Sequence, residues 1–211
     1  MISTPDTAPP ASLRDAQAAV ARTQIAEAAR QLFLSQGYVS TSMGAIARRA
    51  GVAVQTIYNV VGNKVAVLSA VLDLVAAGPN SPTPVAAFME QRAGATKDLA
   101  SFVEVLADWF LEVHPRAADL FRLIRQAAAV DADVAAMEQA RADQRLRNYT
   151  LAAGQVRERG GLTSGLSDEE AAAVIWSVGH PDTYRVLVIE RGWSVQRYRA
   201  WLATSLAAAL R

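Results

Sequence analysis

The stretch TSMGAIARRAGVAVQTIY at residues 41–58 decides the fold. Thr41 and Ser42 offer hydroxyl caps for a helix that carries Ile46 and Ala47 inside it. Gly51-Val52 breaks that helix after only about two turns, and a second short helix follows from about Val54 to Val60. Ala47 and Ala50 are small, so the two helices can approach closely. Gly51 can adopt the positive-φ conformation that a sharp turn asks for. Val52 and Ile57 are apolar where they would anchor the turn and the second helix in a core. Gln55, Thr56 and Tyr58 then face outward near the start of the second helix. Two short helices around a tight glycine turn are the layout of a helix-turn-helix. The exposed start of its second helix is the end that enters a DNA major groove.

Outward from this stretch the chain reads as all-α, because its apolar residues recur at three and four rather than alternating. Upstream, Ile25, Ala28, Ala29, Leu32 and Phe33 form one stripe that stops at Gly37. Downstream, Gly62-Asn63 ends the second short helix. Asn63 caps a longer one with Val67, Leu68, Val71, Leu72 and Val75 on one face. The segment Gly78-Pro79-Asn80-Ser81-Pro82-Thr83-Pro84 is the clearest joint in the chain. Beyond it helices are expected at about 85–93, at 97–113 stopped before Pro115, and at 116–129. A long helix runs from near Asp131 to Gly160-Gly161. Ser167 with Asp168, Glu169 and Glu170 is a marked helix start. That helix meets a kink or break at Gly179-His180-Pro181 and resumes to Arg191, and Ser194 caps the last one. The expected organisation is a disordered tail at 1–17, a helix-turn-helix domain at 18–64, a connecting helix at 65–78, and a larger helical domain at 79–211.

Composition narrows the function classes. The chain has 211 residues with no cysteine and two histidines, His114 and His180, so disulfides, thiolate catalysis and Cys-bound zinc are excluded. No metal or cofactor is expected. No apolar run reaches membrane-spanning length, and the Pro-rich start lacks the pattern of a signal peptide, so the expected location is the cytoplasm. Residues 1–64 carry six Lys/Arg against three Asp/Glu, whereas residues 65–211 carry fifteen against seventeen. The sign of that asymmetry places a polyanionic partner at the N-terminus. None of G-x-S-x-G, a P-loop, G-x-G-x-x-G or H-E-x-x-H is present, which argues against an enzyme.

The segments RTQIAEAARQLF at 22–33, GY at 37–38, TSMGAIARRAGV at 41–52 and TIY at 56–58 with Lys64 resemble the tetracycline-repressor family over about residues 20–75. The stretch PDTYRVLVIERGWSVQRYRAWL at 181–202 resembles a subgroup of these regulators. The resemblance implies a dimeric transcriptional repressor that binds a double-stranded DNA operator and is released by a small-molecule effector. It implies that Thr41 or Ser42 places a hydroxyl and backbone N–H groups on a phosphate. Gln55 and Thr56 would reach base edges, Gln being suited to adenine. Tyr58 and Lys64 would hold phosphates, with Asn59 a further contact and Arg48 and Arg49 adding charge. Each has an alternative reading: Thr41 and Ser42 as caps alone, Gln55 and Asn59 as solvated surface, Tyr58 as half-buried packing. Val60, Val61, Val54 and Gly44 depart from the family pattern, and Gly44 costs its short helix roughly 1 kcal/mol of propensity.

Two amphipathic segments close the chain, Tyr184, Leu187 and Val188 on one, and Tyr198, Trp201, Leu202 and Leu206 on the other. They either cover their own core or, as the resemblance implies, pack against their copies as a dimer interface. The middle helices would surround a pocket. Its expected lining is Trp109, Phe121, Tyr149 and Trp176, with His180 as a polar contact and Phe88 and Phe102 as further candidates. Such a wall predicts a mostly apolar ligand. Two alternatives stay open: a regulator controlled by a protein partner instead of a ligand, and an activator instead of a repressor.

Overall fold

The computed structural model describes residues 13–78 and 85–211. The first twelve residues of the expected tail and the joint after Gly78 lie outside them. The described residues form helices α1 (Leu13–Gln36), α2 (Met43–Ala50), α3 (Val54–Val60), α4 (Lys64–Ala77) and α5 (Val85–Gly94). They continue with α6 (Leu99–Ala128), α7 (Ala132–Glu158), α8 (Asp168–Val178), α9 (Pro181–Tyr184) and α10 (Val195–Ala209). A π-helical stretch, Arg185–Glu190, prolongs α9. No strand occurs among the described residues.

Local chemistry sets most helix ends. Ser42 accepts from the Ala45 N–H and Asn63 from the Ala66 N–H, which starts α2 and α4. Asp98 and Ser101 cap α6 reciprocally, and Ser167 and Glu170 do the same for α8. Asp131 accepts from the N–H groups of Asp133 and Val134 at the start of α7, and Ser194 from that of Arg197 at the start of α10. Each such cap satisfies N–H groups that the helix itself leaves free.

Three expectations need correction. Residues 13–17 are not part of a disordered tail: they are the first turn of α1, with Asp15 at its positive end. The helices expected on either side of Pro115 are one helix, α6. A proline inside a helix removes one hydrogen bond and crowds the preceding turn. Here the flanking turns bury Val113, His114, Ala117 and Leu120 in the same core, which holds the helix together. The segment after Gly179 resumes with a short α-helix and then widens into the π-helical stretch instead of running on as regular α-helix.

One continuous core links the helix-turn-helix end to the rest, running from Ile25 and Phe33 through Val67, Leu68 and Val71 to Phe110, Leu120, Tyr198 and Leu206. Helix α4 is its axis. It packs on α1 on one side and on α6 and α7 on the other. It is buried around much of its circumference through Val67, Leu68, Ala70, Val71, Leu72 and Val75. Two arginines fix it to the larger part. Arg116 of α6 donates to the Ala76 carbonyl at 3.1 Å, at the negative end of α4. Arg141 of α7 donates to the side chain and carbonyl of Ser69 and pairs with Asp73. No single described helix is long and apolar enough to cross a membrane.

Candidate functional site

Gly51 stands at φ 68°, ψ 29°, the left-handed conformation that favours glycine. Its N–H turns back to the Arg48 carbonyl, and that of Val52 reaches the Ala47 carbonyl at 3.0 Å. This closes α2 and sets the angle at which α3 leaves. Ile46 and Ile57 are fully buried and lock the two helices together, while Ala47 allows the close approach. α3 therefore has one face in the core and one in solvent.

The solvent face carries the expected residues. Gln55 and Asn59 are exposed, and the Gln55 amide donates to the Asn59 side chain at 3.0 Å. Tyr58 is 48% exposed, and Thr56 is partly covered. Lys64 lies with its ammonium 4.2 Å from the centre of the Tyr38 ring and donates to the Val39 carbonyl at 3.3 Å. Burial pulls its pKa down, against the pull of Asp131. A Lys ammonium has three donors, so that single bond leaves it able to meet a phosphate. Tyr38 itself is nearly buried, and burial with the neighbouring Asp131 pushes its phenol up to about 12.

Thr41 is a correction. Only 1% of it is exposed, and its hydroxyl donates to the Gly37 carbonyl at 2.8 Å. That hydroxyl closes the turn after α1 and faces no ligand. Ser42 alone of the pair stands in solvent, as the cap of α2. Arg48 and Arg49 are exposed, with Arg49 tied to Gln31 at 2.7 Å.

The second feature is a cavity of about 1080 Å³ between α4, α5, α6, α7, α8 and the start of α9. Ligand pockets commonly span about 300–1,000 Å³, so a drug-sized molecule fits. Trp109, Phe121, Tyr149, Trp176 and His180 all line it. Phe102 lines it too, whereas Phe88 packs behind it, edge-on to Trp109 at 5.4 Å. Tyr149 and Trp176 meet edge to face at 6.1 Å. Gly179 belongs to the wall because no side chain fits there: a Cβ would stand 2.1 Å from the buried Phe110 ring.

Both histidines are neutral at neutral pH. Burial, with repulsion from His180, lowers His114 to about 3. Its Nδ1 lies 3.1 Å from the Tyr198 hydroxyl. His180 is also lowered, burial outweighing the Asp182 carboxylate 3.7 Å away. The His180 Nδ1 accepts the Asp182 N–H, so its Nε2 carries the proton and is a donor. Sequence reading missed Arg145. It lines the cavity from α7, with its guanidinium 5.1 Å from the Trp176 ring and 5.9 Å from that of Phe121. Its spacing from Tyr149, one helical turn, is the signal that could have found it.

The expected dimer face is partly overturned. Tyr198, Leu202 and Leu206 are fully buried within their own chain, and Tyr184 is 7% exposed. They hold α10 onto α6 and α8 and offer nothing to a partner. Leu187, Val188 and Trp201 are only half-buried, and Val186 and Ile189 are exposed beside them.

Residues 25–71 match the family of bacterial regulatory proteins described as the tetR family. That span contains α2, the Gly51 turn and α3. No curated protein matches the chain. Among solved structures, the complex of SmeT with triclosan is similar at a TM-score of 0.67 and 22% identity, covering 90% of this chain and 91% of that one. NalD of Pseudomonas aeruginosa, the secondary repressor of the MexAB-OprM multidrug efflux pump, gives 0.66 and 18%, covering 92% and 98%. FadR of Bacillus subtilis, in complex with stearoyl-CoA, gives 0.67 and 17%, covering 89% and 98%. At these identities the likeness is one of fold, across nearly the whole length of both chains. The helix-turn-helix thus lies inside the span that matches the tetR family model, and the helical body shares its fold with these solved structures.

Proposed function

We propose that this chain is a homodimeric transcriptional repressor that a small, largely apolar molecule releases from its operator. The observation that carries the reading is the aromatic cavity against α4, the helix that continues directly from the helix-turn-helix. Residues 18–64 take the DNA-reading role, 65–78 the connection, and 79–211 ligand binding and dimerisation. Gln55 and Thr56 read base edges, while Ser42, Tyr58 and Lys64 hold phosphates, with Asn59 beside them. Two copies read two half-sites, which multiplies affinity over a single recognition helix. Leu187, Val188 and Trp201 are the parts of the original interface still available to join the copies.

Release requires that the ligand bind the DNA-free arrangement better than the DNA-bound one. The cavity supplies the route. Asp73 and Leu74 of α4 form part of its wall, and Arg141 of α7 holds α4 through Ser69 and Asp73. A ligand that spreads α7 from α4 therefore shifts the helix to which α3 is joined. A regulator answering to a protein partner would need no ring-lined cavity of this size. The similar structures with triclosan and with stearoyl-CoA show that this fold holds small molecules in other proteins.

The test is selection of bound fragments from the host's own DNA by the full-length protein at two salt concentrations. The reading expects enriched fragments sharing a two-fold symmetric sequence, and affinity that falls steeply as salt rises. Fragments without shared sequence, or binding indifferent to salt, would overturn it.

A further inference from the structure

We propose that the cavity is built for an organic anion, an apolar body ending in one carboxylate, and that Arg145 is the residue that binds the charge. The proposal rests on the reading of the cavity as an effector site and names the chemical class that it takes.

The observation is an arginine without a counter-charge. Arg145 is more than half withdrawn from water, enough for burial to lower its pKa. Among the described residues no carboxylate lies within 4.0 Å of its guanidinium and none hydrogen-bonds to it; its charged neighbours act only at a distance. Its company is aromatic, the rings of Trp176 and Phe121. The other partly buried arginines each hold a partner, although Arg116, bound to the Ala76 carbonyl, keeps its Nε unbonded. Arg92 holds Glu112, Arg125 holds Asp182, Arg141 holds Asp73, Arg159 holds the Ala93 carbonyl, and Arg199 holds Asp108. A guanidinium has five donors and no acceptor, and withdrawing it unpaired from water is costly. The attraction of the charge to the Trp176 and Phe121 rings offsets part of that cost. A planar fork is what a carboxylate engages with two parallel bonds.

The other charges around the cavity agree. Asp73 is neutralised by Arg141, and His114 and His180 are uncharged. Tyr149 stays protonated, its hydroxyl pushed up to about 12 by burial. Glu138, two turns before Arg145 on α7, acts on it only at a distance, as does Arg141. Glu90 and Arg22 also line the cavity but are exposed, so the partly buried charge without a counter-ion is that of Arg145, and the Nε2–H of His180 and the hydroxyl of Tyr149 are further donors in the wall. The remaining wall, Trp109, Phe102, Leu106 and Met89, suits hydrocarbon or an aromatic ring.

The experiment uses two pairs of probes with the same body, octanoate with 1-octanol and 3-phenylpropanoate with 3-phenylpropan-1-ol. Binding to the full-length protein is read by tryptophan fluorescence and by the shift in melting temperature. The wild type should bind at least one acid about tenfold or more tightly than its alcohol. Arg145→Leu should erase that preference yet still bind the alcohol. Arg145→Lys should keep a reduced preference, since charge remains and the fork is lost. Arg147→Leu, on an exposed residue of the same helix, should change nothing. Acid and alcohol bound equally by the wild type, or a preference that survives Arg145→Leu, overturns the assignment of Arg145 while leaving a ligand cavity in place. Binding of neither member of either pair overturns this inference together with the effector reading beneath it.

Discussion

The guanidinium of Arg141 on α7 lies 2.7 Å from the carboxylate of Asp73 on α4. The same guanidinium also holds the hydroxyl and the carbonyl of Ser69, one turn earlier on α4. This clamp joins the wall of the cavity to the helix that continues from the helix-turn-helix. Arg141 sits one turn from Arg145 on the cavity face of α7.

Breaking the clamp should uncouple the two ends of the molecule. Arg141→Ala is expected to retain DNA binding within a few-fold of wild type, because Arg141 does not touch α3, and to weaken binding of an anionic ligand, because it leaves the Asp73 carboxylate of the cavity wall unpaired. Ligand-induced release should weaken by about 1–3 kcal/mol of coupling, the usual size of such links. The check is a DNA-binding titration with and without saturating ligand. Unchanged coupling would remove the clamp from the mechanism.

Thr41 and Ser42 should separate cleanly. Thr41→Val removes a hydroxyl that satisfies the Gly37 carbonyl. It should lower stability by about 1–2 kcal/mol and leave DNA affinity of the folded protein as it was. Ser42→Ala should cost about 1 kcal/mol of α2 stability and weaken DNA binding as well. Chemical denaturation and a DNA titration on each variant decide it. Weaker DNA binding by fully folded Thr41→Val protein would contradict the inward assignment.

Acid should destabilise the protein through His114. Its pKa is lowered to about 3 in the folded state against an ordinary value near 6.5. Above the unfolded value both states are neutral and the stabilisation is complete. As pH falls below about 6.5 the unfolded state takes up the proton first, so stability drops by up to about 1.4 kcal/mol per pH unit, until the folded-state value is reached. Asp182, lowered through Arg125 and Arg185, adds a loss of the same sign at the acid end. Denaturation midpoints measured from pH 7 to pH 4 should fall. His114→Gln, which keeps a hydrogen-bonding group near Tyr198 but does not titrate, should flatten that slope by one proton.

The helix-turn-helix was legible because each part has a local cause: Gly51 for the turn, Ser42 and Asn63 for the helix starts, Ile46 and Ile57 for the anchors. The cavity aromatics were legible as rings at helical spacing, and the structure gathers Trp109, Phe121, Tyr149 and Trp176 around one space. Features settled by tertiary packing were not. Pro115 reads locally as a stop, yet the core on both sides of it carries α6 through. Tyr198, Leu202 and Leu206 form an apolar stripe that suits an intrachain or an intersubunit face equally well in sequence, and only the packing of α10 on α6 and α8 decides between them. Thr41 and Ser42 are adjacent hydroxyls, and which one turns inward depends on the carbonyl of Gly37. Arg145 looks like any other helix-surface arginine until its neighbours turn out to be rings and not carboxylates.

The central claim is that the exposed start of α3 reads DNA sequence. Its most direct test is selection of preferred sequences from a random DNA pool by the wild type and by Gln55→Ala, with Tyr58→Phe and Lys64→Ala alongside. Gln55→Ala should relax or change the preference at one position of each half-site, at a cost of about 1–3 kcal/mol on the original sequence. Tyr58→Phe and Lys64→Ala should weaken binding to all sequences alike. The same preferred sequence and the same affinity in all three folded variants would contradict the account.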